Sequence, residues 1–402
     1  MSLRRQLLLS FVLQGAGSAS VLLATVWLGS RLGPEVQGGF SRTKTEIEFI
    51  GAFAMLGLPQ SLFYHVKSGR LSQRVALRWE RWSALLALPV GAAYAFAQPG
   101  PAGVLPAAWL AVAVACCVLH GQLRALLLVE DRRATAFSLL TALPQLLMLA
   151  GVGCVIGWGG GALPLPASWL AVFAGAYGIA ALIAWQRLTP GGEAAVAAPV
   201  GWRQLGHYGL ATWIAAVLST AAALFAQRWV ESSEGPAALG RFTLAMTLVL
   251  IPLTPVAYAA PLLFRRWMER PGSRASRRWA GWLFTLLLGV ASLVWLAAPR
   301  WPDLGIGPLY AGVTQALAVL LAGGAAEAAS RLLTVQASAS GRPWIAVRAE
   351  AARFATLGVD ALSPLPAGLL PLCAVWTLAS GAAALVFVVH SWRAEVRPDG
   401  SR

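Results

Sequence analysis

Charge is what this chain has least of. Only 12% of its 402 residues are Asp, Glu, Lys or Arg, against about a quarter in soluble domains, too few to cover a water-facing surface. Acid is scarcer still, with 16 Asp and Glu against 31 Lys and Arg. The few cysteines, Cys116, Cys117, Cys154 and Cys373, sit in apolar runs without metal-ligand spacing, which excludes a disulfide framework and a zinc site. No H-E-x-x-H, no G-x-S-x-G and no phosphate-binding loop occurs, so no enzyme, cofactor or metal is indicated. Gly151-Val152-Gly153 with Gly157 lies inside an apolar run and not after a strand, and reads as small residues that let helices approach closely. The stretches 98–107 and 159–168 carry no charge, so no sizeable catalytic domain fits between the spans there.

What is present is hydrocarbon. Apolar residues make up 58% of the chain and the mean hydropathy is +0.66. Windows of about 20 apolar residues, the length that crosses a bilayer as helix, fall at 7–30, 47–66, 82–98, 105–129, 134–158, 167–185, 205–229, 239–264, 280–298, 309–335, 344–362 and 367–390. The expectation is an all-α, multi-pass membrane protein of about twelve transmembrane helices. The eleventh window is the weakest, because Arg348, Glu350 and Arg353 occupy its first turns. Arg4-Arg5 before the first run imitates a secretory signal, but the run continues to Ser30 and reads as an uncleaved helix.

The formal charge of +15 does not indicate nucleic acid, because the basic residues are spread over short loops rather than gathered on one domain. Most fall on the amino-terminal side of the spans; the opposite side holds only Arg31, Arg42, Lys44, Arg228, Arg241 and Arg300. That asymmetry predicts both termini in the cytoplasm. Between the sixth and seventh windows, RLTPGGEAAVAAPVGW is rich in Gly, Pro and Ala and reads as a linker. The expected organisation is a helical bundle over 1–186, a cytoplasmic linker over 187–204 and a second bundle over 205–402.

The two halves share a motif. Gly33-Pro34 to Gly38, Phe40 and Ser41 match Gly235-Pro236 to Gly240, Phe242 and Thr243 without a gap. Thr45 then answers to Thr247 and Pro59 to Pro261, so the chain reads as a duplicated unit with matching helix kinks at those two prolines.

Charges inside hydrocarbon are costly, so those that occur are candidate functional groups. Glu327 and Arg331, four residues apart among Ala and Gly, read either as an ion pair locking helices or as part of a ligand or water path. Arg42 with Glu46 and Lys44 with Glu48 repeat that spacing at the expected outer end of the second span, as a solvated helix end or a polar gate. Arg31, Arg228 and Arg241 lie beside the two Gly-Pro turns and fit either interface anchoring or recognition of an anionic headgroup by forked guanidinium donors. Arg124, near the cytoplasmic end of the fourth span, carries the same two readings. Glutamines within the spans, among them Gln14, Gln122 and Gln336, suit a sugar ligand or bonds between helices.

The segment from Arg31-Leu32-Gly33-Pro34 to Phe40-Ser41, with Leu56-Gly57-Leu58-Pro59-Gln60-Ser61-Leu62-Phe63-Tyr64, resembles the first hairpin of polysaccharide biosynthesis flippases. These are the O-antigen and repeat-unit translocases of the multidrug/oligosaccharidyl-lipid/polysaccharide exporter superfamily. Gly201 to Trp213 resembles the start of that family's seventh helix, and Gly235 to Phe264 its eighth. The resemblance implies a MATE-like fold, with two pseudo-symmetric six-helix bundles around a central cavity in the cytoplasmic (inner) membrane. It implies alternating-access transport of an undecaprenyl-pyrophosphate-linked oligosaccharide, with membrane lipids and other glycan-assembly membrane proteins as partners. Arg31, Arg42, Arg124, Arg228 and Arg331 would then supply a positive field, and Glu327 would tune it or couple ion movement. Three other functions stay open on the residues alone: a multidrug or metabolite exporter of the same superfamily, a membrane enzyme of glycan assembly, and a non-transporting scaffold.

Overall fold

The computed structural model describes residues 3–98, 104–129, 133–157, 165–188, 202–269, 274–361 and 368–396. Among them the chain is helical throughout, with no strand. The helices are α1 (Leu3–Ala54), α2 (Leu58–Lys67), α3 (Gln73–Ala97), α4 (Val104–Leu127), α5 (Ala134–Gly157), α6 (Leu165–Arg187), α7 (Trp202–Glu234), α8 (Pro236–Glu269), α9 (Arg274–Ala297), α10 (Val313–Ala339), α11 (Trp344–Ala361) and α12 (Leu369–Val396). Among the described residues, 9 of these are long and apolar enough to cross a membrane. The short α2, the arginine-rich start of α3 and the charged α11 fall below that standard.

The first hairpin differs from expectation. No loop separates the first two spans; α1 runs through the first and into the second, and turns at Gly33, whose φ of 86° and ψ of 167° belong to a region essentially reserved for glycine. A Cβ at Gly33 would meet nothing within 4 Å, so dihedral freedom and not space requires the glycine. Pro34 then opens the next helical segment, where its missing N–H costs nothing. The Gly-Pro pair is therefore a complete corner, and Arg42, Lys44, Glu46 and Glu48, expected at the outer end of the second span, lie within the helical segment that follows it. The second copy makes the same corner. Gly235 has a φ of 84° and Pro236 opens α8. Phe40 and Phe242 are each 2% exposed. The hydroxyls of Thr45 and Thr247 each donate to the carbonyl four residues back, at 3.1 and 2.8 Å.

The copies then diverge at the proline. In the first, Leu56 and Gly57 have φ of 51° and 68°, and the break lets α2 restart with Pro59 in its first turn. In the second, α8 runs unbroken from Pro236 through Pro261 to Glu269.

The contact pattern divides the chain into two compact units, Met1–Thr220 and Ala221–Arg402, with the junction inside α7. In the first unit α1 packs along α5, and α4 lies between α3 and α6. Phe40 stacks on Phe173 at 5.1 Å and meets Trp169 edge-on at 5.3 Å, joining α1 to α6. The start of α7 docks on the break after α1. Trp213 Nε1 donates to the Phe53 carbonyl at 2.9 Å, Thr212 to the Gly57 carbonyl at 3.3 Å, and Ser61 of α2 to the Leu205 carbonyl at 3.3 Å. Tyr64 stacks on Tyr208 at 4.5 Å.

In the second unit α10 is the axis, packed on α8, α9 and α12. Its Gly-Ala composition explains that role. A Cβ on Gly323 would sit 2.9 Å from Thr377 Cα of α12, and one on Gly324 would sit 2.8 Å from Val249 of α8. Small residues thus let three helices reach one backbone, and the Thr377 hydroxyl donates to the Val319 carbonyl at 2.7 Å. By contrast α9 presents Trp279, Trp282, Leu286, Leu293 and Leu296 outward, the apolar face a helix shows to lipid.

Candidate functional site

Polar groups gather inside each unit. In the first, the second segment of α1 carries Lys44 and Glu48, whose Nζ and Oε1 are 2.7 Å apart, and Arg42 and Glu46 at 3.8 Å. The i to i+4 spacing makes both pairs intrahelical, which is how four charges are accommodated in a spanning helix. Opposite Lys44 and Glu48 lie α4 and α6, where Cys117 and Tyr177 share the buried core. The His120 ring is 5.7 Å from that of Tyr177, and its Nε2 bonds the Leu140 carbonyl of α5 at 2.8 Å. One turn further along α4, Arg124 lies over the Phe137 ring at 5.4 Å and reaches the Thr141 hydroxyl at 3.4 Å. Its Nε is buried without a hydrogen-bond partner, and among the described residues no carboxylate pairs with it. Arg124 is therefore a guanidinium held by an aromatic face and a hydroxyl, with donors to spare.

In the second unit Glu327, 7% exposed, accepts from Arg331 Nε at 3.0 Å and from its Nη2. A second pair stands close by on α11. Arg353, 3% exposed, is 3.1 Å from Glu350 and lies 5.9 Å from the Trp376 ring of α12. Glu327 feels the charge of both arginines. Two acids and two guanidiniums thus form one cluster across α10 and α11. Among the expected site residues, Glu327 and Arg331 are brought together, as are the two pairs on α1. Arg31 is exposed beside the first Gly-Pro corner. Arg228 is exposed before the second, and Arg241, just after it, is half-buried with an unpartnered Nε.

Sequence reasoning missed Arg353 and Glu350 as site residues, reading them as a flaw in the eleventh span. The signal was there, because a charge in a spanning segment is a candidate group whatever it does to hydropathy. It also missed the His120–Tyr177–Cys117 seam, whose members are single polar residues on different helices with no motif to join them. Three glutamines serve as bonds between helices. Gln14 donates to Ser138 of α5 at 3.4 Å, Gln122 bonds Ser83 of α3, and Ser276 of α9 bonds Gln336 of α10. Among the described residues no group of three His, Cys, Asp or Glu side chains could hold a metal ion.

These features define a multi-pass, all-helical membrane protein whose two units each enclose a charged polar cluster. The fold is that of the MATE transporters of the MOP superfamily. An inward-facing multidrug resistance MATE family transporter superposes with a TM-score of 0.67 at 16% identity, over 97% of this chain and 98% of that one. A crystal structure of a MATE variant gives 0.69 at 16% identity over 97% and 96%. A MOP superfamily transporter from Pyrococcus furiosus, described as having a binding pocket of reversed polarity, gives 0.59 at 13% identity over 97% and 94%. No protein-family model matches the sequence, and no curated protein matches it.

Proposed function

We propose that the chain is an alternating-access transporter of the cytoplasmic membrane. In this reading it moves an undecaprenyl-pyrophosphate-linked oligosaccharide from the inner to the outer leaflet, with both termini cytoplasmic and bundles over 1–186 and 205–402. The fold it shares with MATE transporters supports transport. The observation that carries the substrate class is Arg124, a half-buried guanidinium with no acid partner among the described residues. Such a cation is costly in hydrocarbon and matches what a pyrophosphate brings. A lipid-linked sugar needs passage only for its headgroup, since its tail never leaves the apolar phase. Arg331 and Arg353 place further cations in the second unit, Arg31, Arg42, Arg228 and Arg241 extend the positive field, and Lys44, Glu46 and Glu48 act as a polar gate. Membrane lipids and other membrane proteins of glycan assembly are the partners this reading calls for. The test is leaflet exchange of a fluorescent lipid-linked oligosaccharide in vesicles carrying the full-length protein. Exchange that is lost in Arg124→Gln and kept in Arg300→Gln supports the reading; equal rates in wild type, Arg124→Gln and protein-free vesicles refute it.

A second reading, export of small drugs or metabolites, follows from the neighbours, one of which is a multidrug resistance transporter. It predicts efflux of a lipophilic cationic dye from the same vesicles with no dependence on Arg124.

A further inference from the structure

Inside the contact between α3 and α4, two side chains form a hydrogen-bond chain that ends on the Glu80 backbone, and the Glu80 carboxyl stands outside it. The Ser83 hydroxyl donates to the backbone carbonyl of Glu80 at 3.3 Å, and Gln122 Nε2 donates to Ser83 Oγ. With its amide nitrogen so committed, Gln122 is left with Oε1 buried and without a donor. Both carboxyl oxygens of Glu80 are likewise buried and without any hydrogen-bond partner. Glu80 and Gln122 are 0% exposed and Ser83 is 2% exposed, so water does not serve these groups. Glu80 and Ser83 stand one helical turn apart and so share the face of α3 that meets Gln122.

Among the described residues no neighbouring charge offsets the carboxyl. On its own helix Arg74, Arg78 and Arg81 are exposed. On α4, Cys117 lies in the core cluster, His120 bonds the Leu140 carbonyl, and Arg124 is turned to Phe137 and Thr141 of α5. On α2, His65 lies against Tyr64 and Tyr208, and Lys67 makes no ion pair with Glu80. On α1, Arg42 pairs with Glu46 and Lys44 with Glu48. An ionised carboxylate sealed in this way would have neither donors nor a counter-ion, an arrangement native interiors avoid.

We propose that Glu80 is a proton-binding site. It carries one proton on a carboxyl oxygen, donates it to Gln122 Oε1, and gives it up to water only when the α3–α4 contact opens. One O–H bond forms on uptake from water and the same bond breaks on release, leaving a carboxylate that water must solvate. Of the three orphaned oxygens, the proton occupies one on Glu80 and serves Gln122 Oε1, and the other Glu80 oxygen becomes the carbonyl of a neutral acid, far less costly to bury than a carboxylate. A metal cation does not account for them, because it seeks about six oxygen ligands, whereas Ser83 Oγ is already used as an acceptor and only three oxygens remain. The proposal rests on the transport reading for its purpose, as the ion that a transport cycle could couple, and not for its chemistry.

The test is infrared spectroscopy of the purified full-length protein in lipid nanodiscs at neutral pH, with and without sodium. Wild type should show the C=O stretch of a protonated carboxylic acid that is missing in Glu80→Gln, at equal intensity in both buffers. Gln122→Leu should shift that band to the position of an acid without a hydrogen-bond acceptor. Thermal unfolding of Glu80→Gln should match wild type, since the amide is a neutral isostere of the acid. Identical wild-type and Glu80→Gln spectra would overturn the proposal, as would a band that emerges only when sodium is withdrawn, or a Glu80→Gln protein that fails to fold. Neither readout uses a transported substrate, so a failure of the transport reading and a failure of this one are separate results.

Discussion

A charge within a helix bundle persists only if something nearby answers it, and the two units answer differently. Arg124 is met by a ring face and a hydroxyl, whereas Glu327 serves Arg331 directly and acts on Arg353 from across the α10–α11 contact. Removing the acid therefore leaves two guanidiniums underserved. Glu327→Gln is expected to lose about 2 kcal/mol of stability, below the range for a fully buried pair because Arg331 is partly exposed. Thermal unfolding in lipid should fall by several degrees, and the double variant Glu327→Gln with Arg331→Gln should recover part of the loss. An unchanged transition in Glu327→Gln would mean that the cluster holds nothing together. Arg124→Gln is expected to behave the other way, with stability kept and leaflet exchange lost, since nothing buried depends on that guanidinium for its charge.

Helix geometry turns on a few backbone positions. Gly33 and Gly235 make the same corner with open space around the first, so Gly33→Ala should cost about 1–3 kcal/mol through dihedral strain alone. Gly57 is more tightly placed: its φ is 68°, and a Cβ there would lie 2.1 Å from the Gly209 carbonyl oxygen. Gly57→Ala should thus cost more than Gly33→Ala in the same unfolding assay, and it should separate α2 from the start of α7. Quenching of Trp213 fluorescence by a lipid-borne quencher would report that separation; equal stability in the two variants would show the dock to be loose. The interrupted α1–α2 and the continuous α8 also show where duplication ends. Both segments make the corner, and only the first has a break before its proline.

At the scale of the whole chain, the distribution of basic residues predicts that tags at both ends are protected from protease in sealed right-side-out vesicles; digestion of either would reverse the topology. Membrane class, helix number and the Gly-Pro repeat were legible in the amino-acid sequence because each is local. Apolar windows of bilayer length, a proline that can only start a helix and a glycine needed for a positive φ act within a few residues of themselves. The Glu327–Arg331 pair was legible for the same reason, being one turn of one helix. The two pairs on α1 were legible too, read from their spacing as a helix end; what the apolar windows did not contain is the helical stretch that joins them back to the Gly-Pro corner. What only the tertiary structure decided is the company each polar group keeps. Arg353 faces Trp376, His120 meets Tyr177, and Gln122 bonds Ser83 because different helices meet there, and packing between helices is set by the shape of whole faces, which no window along the chain contains.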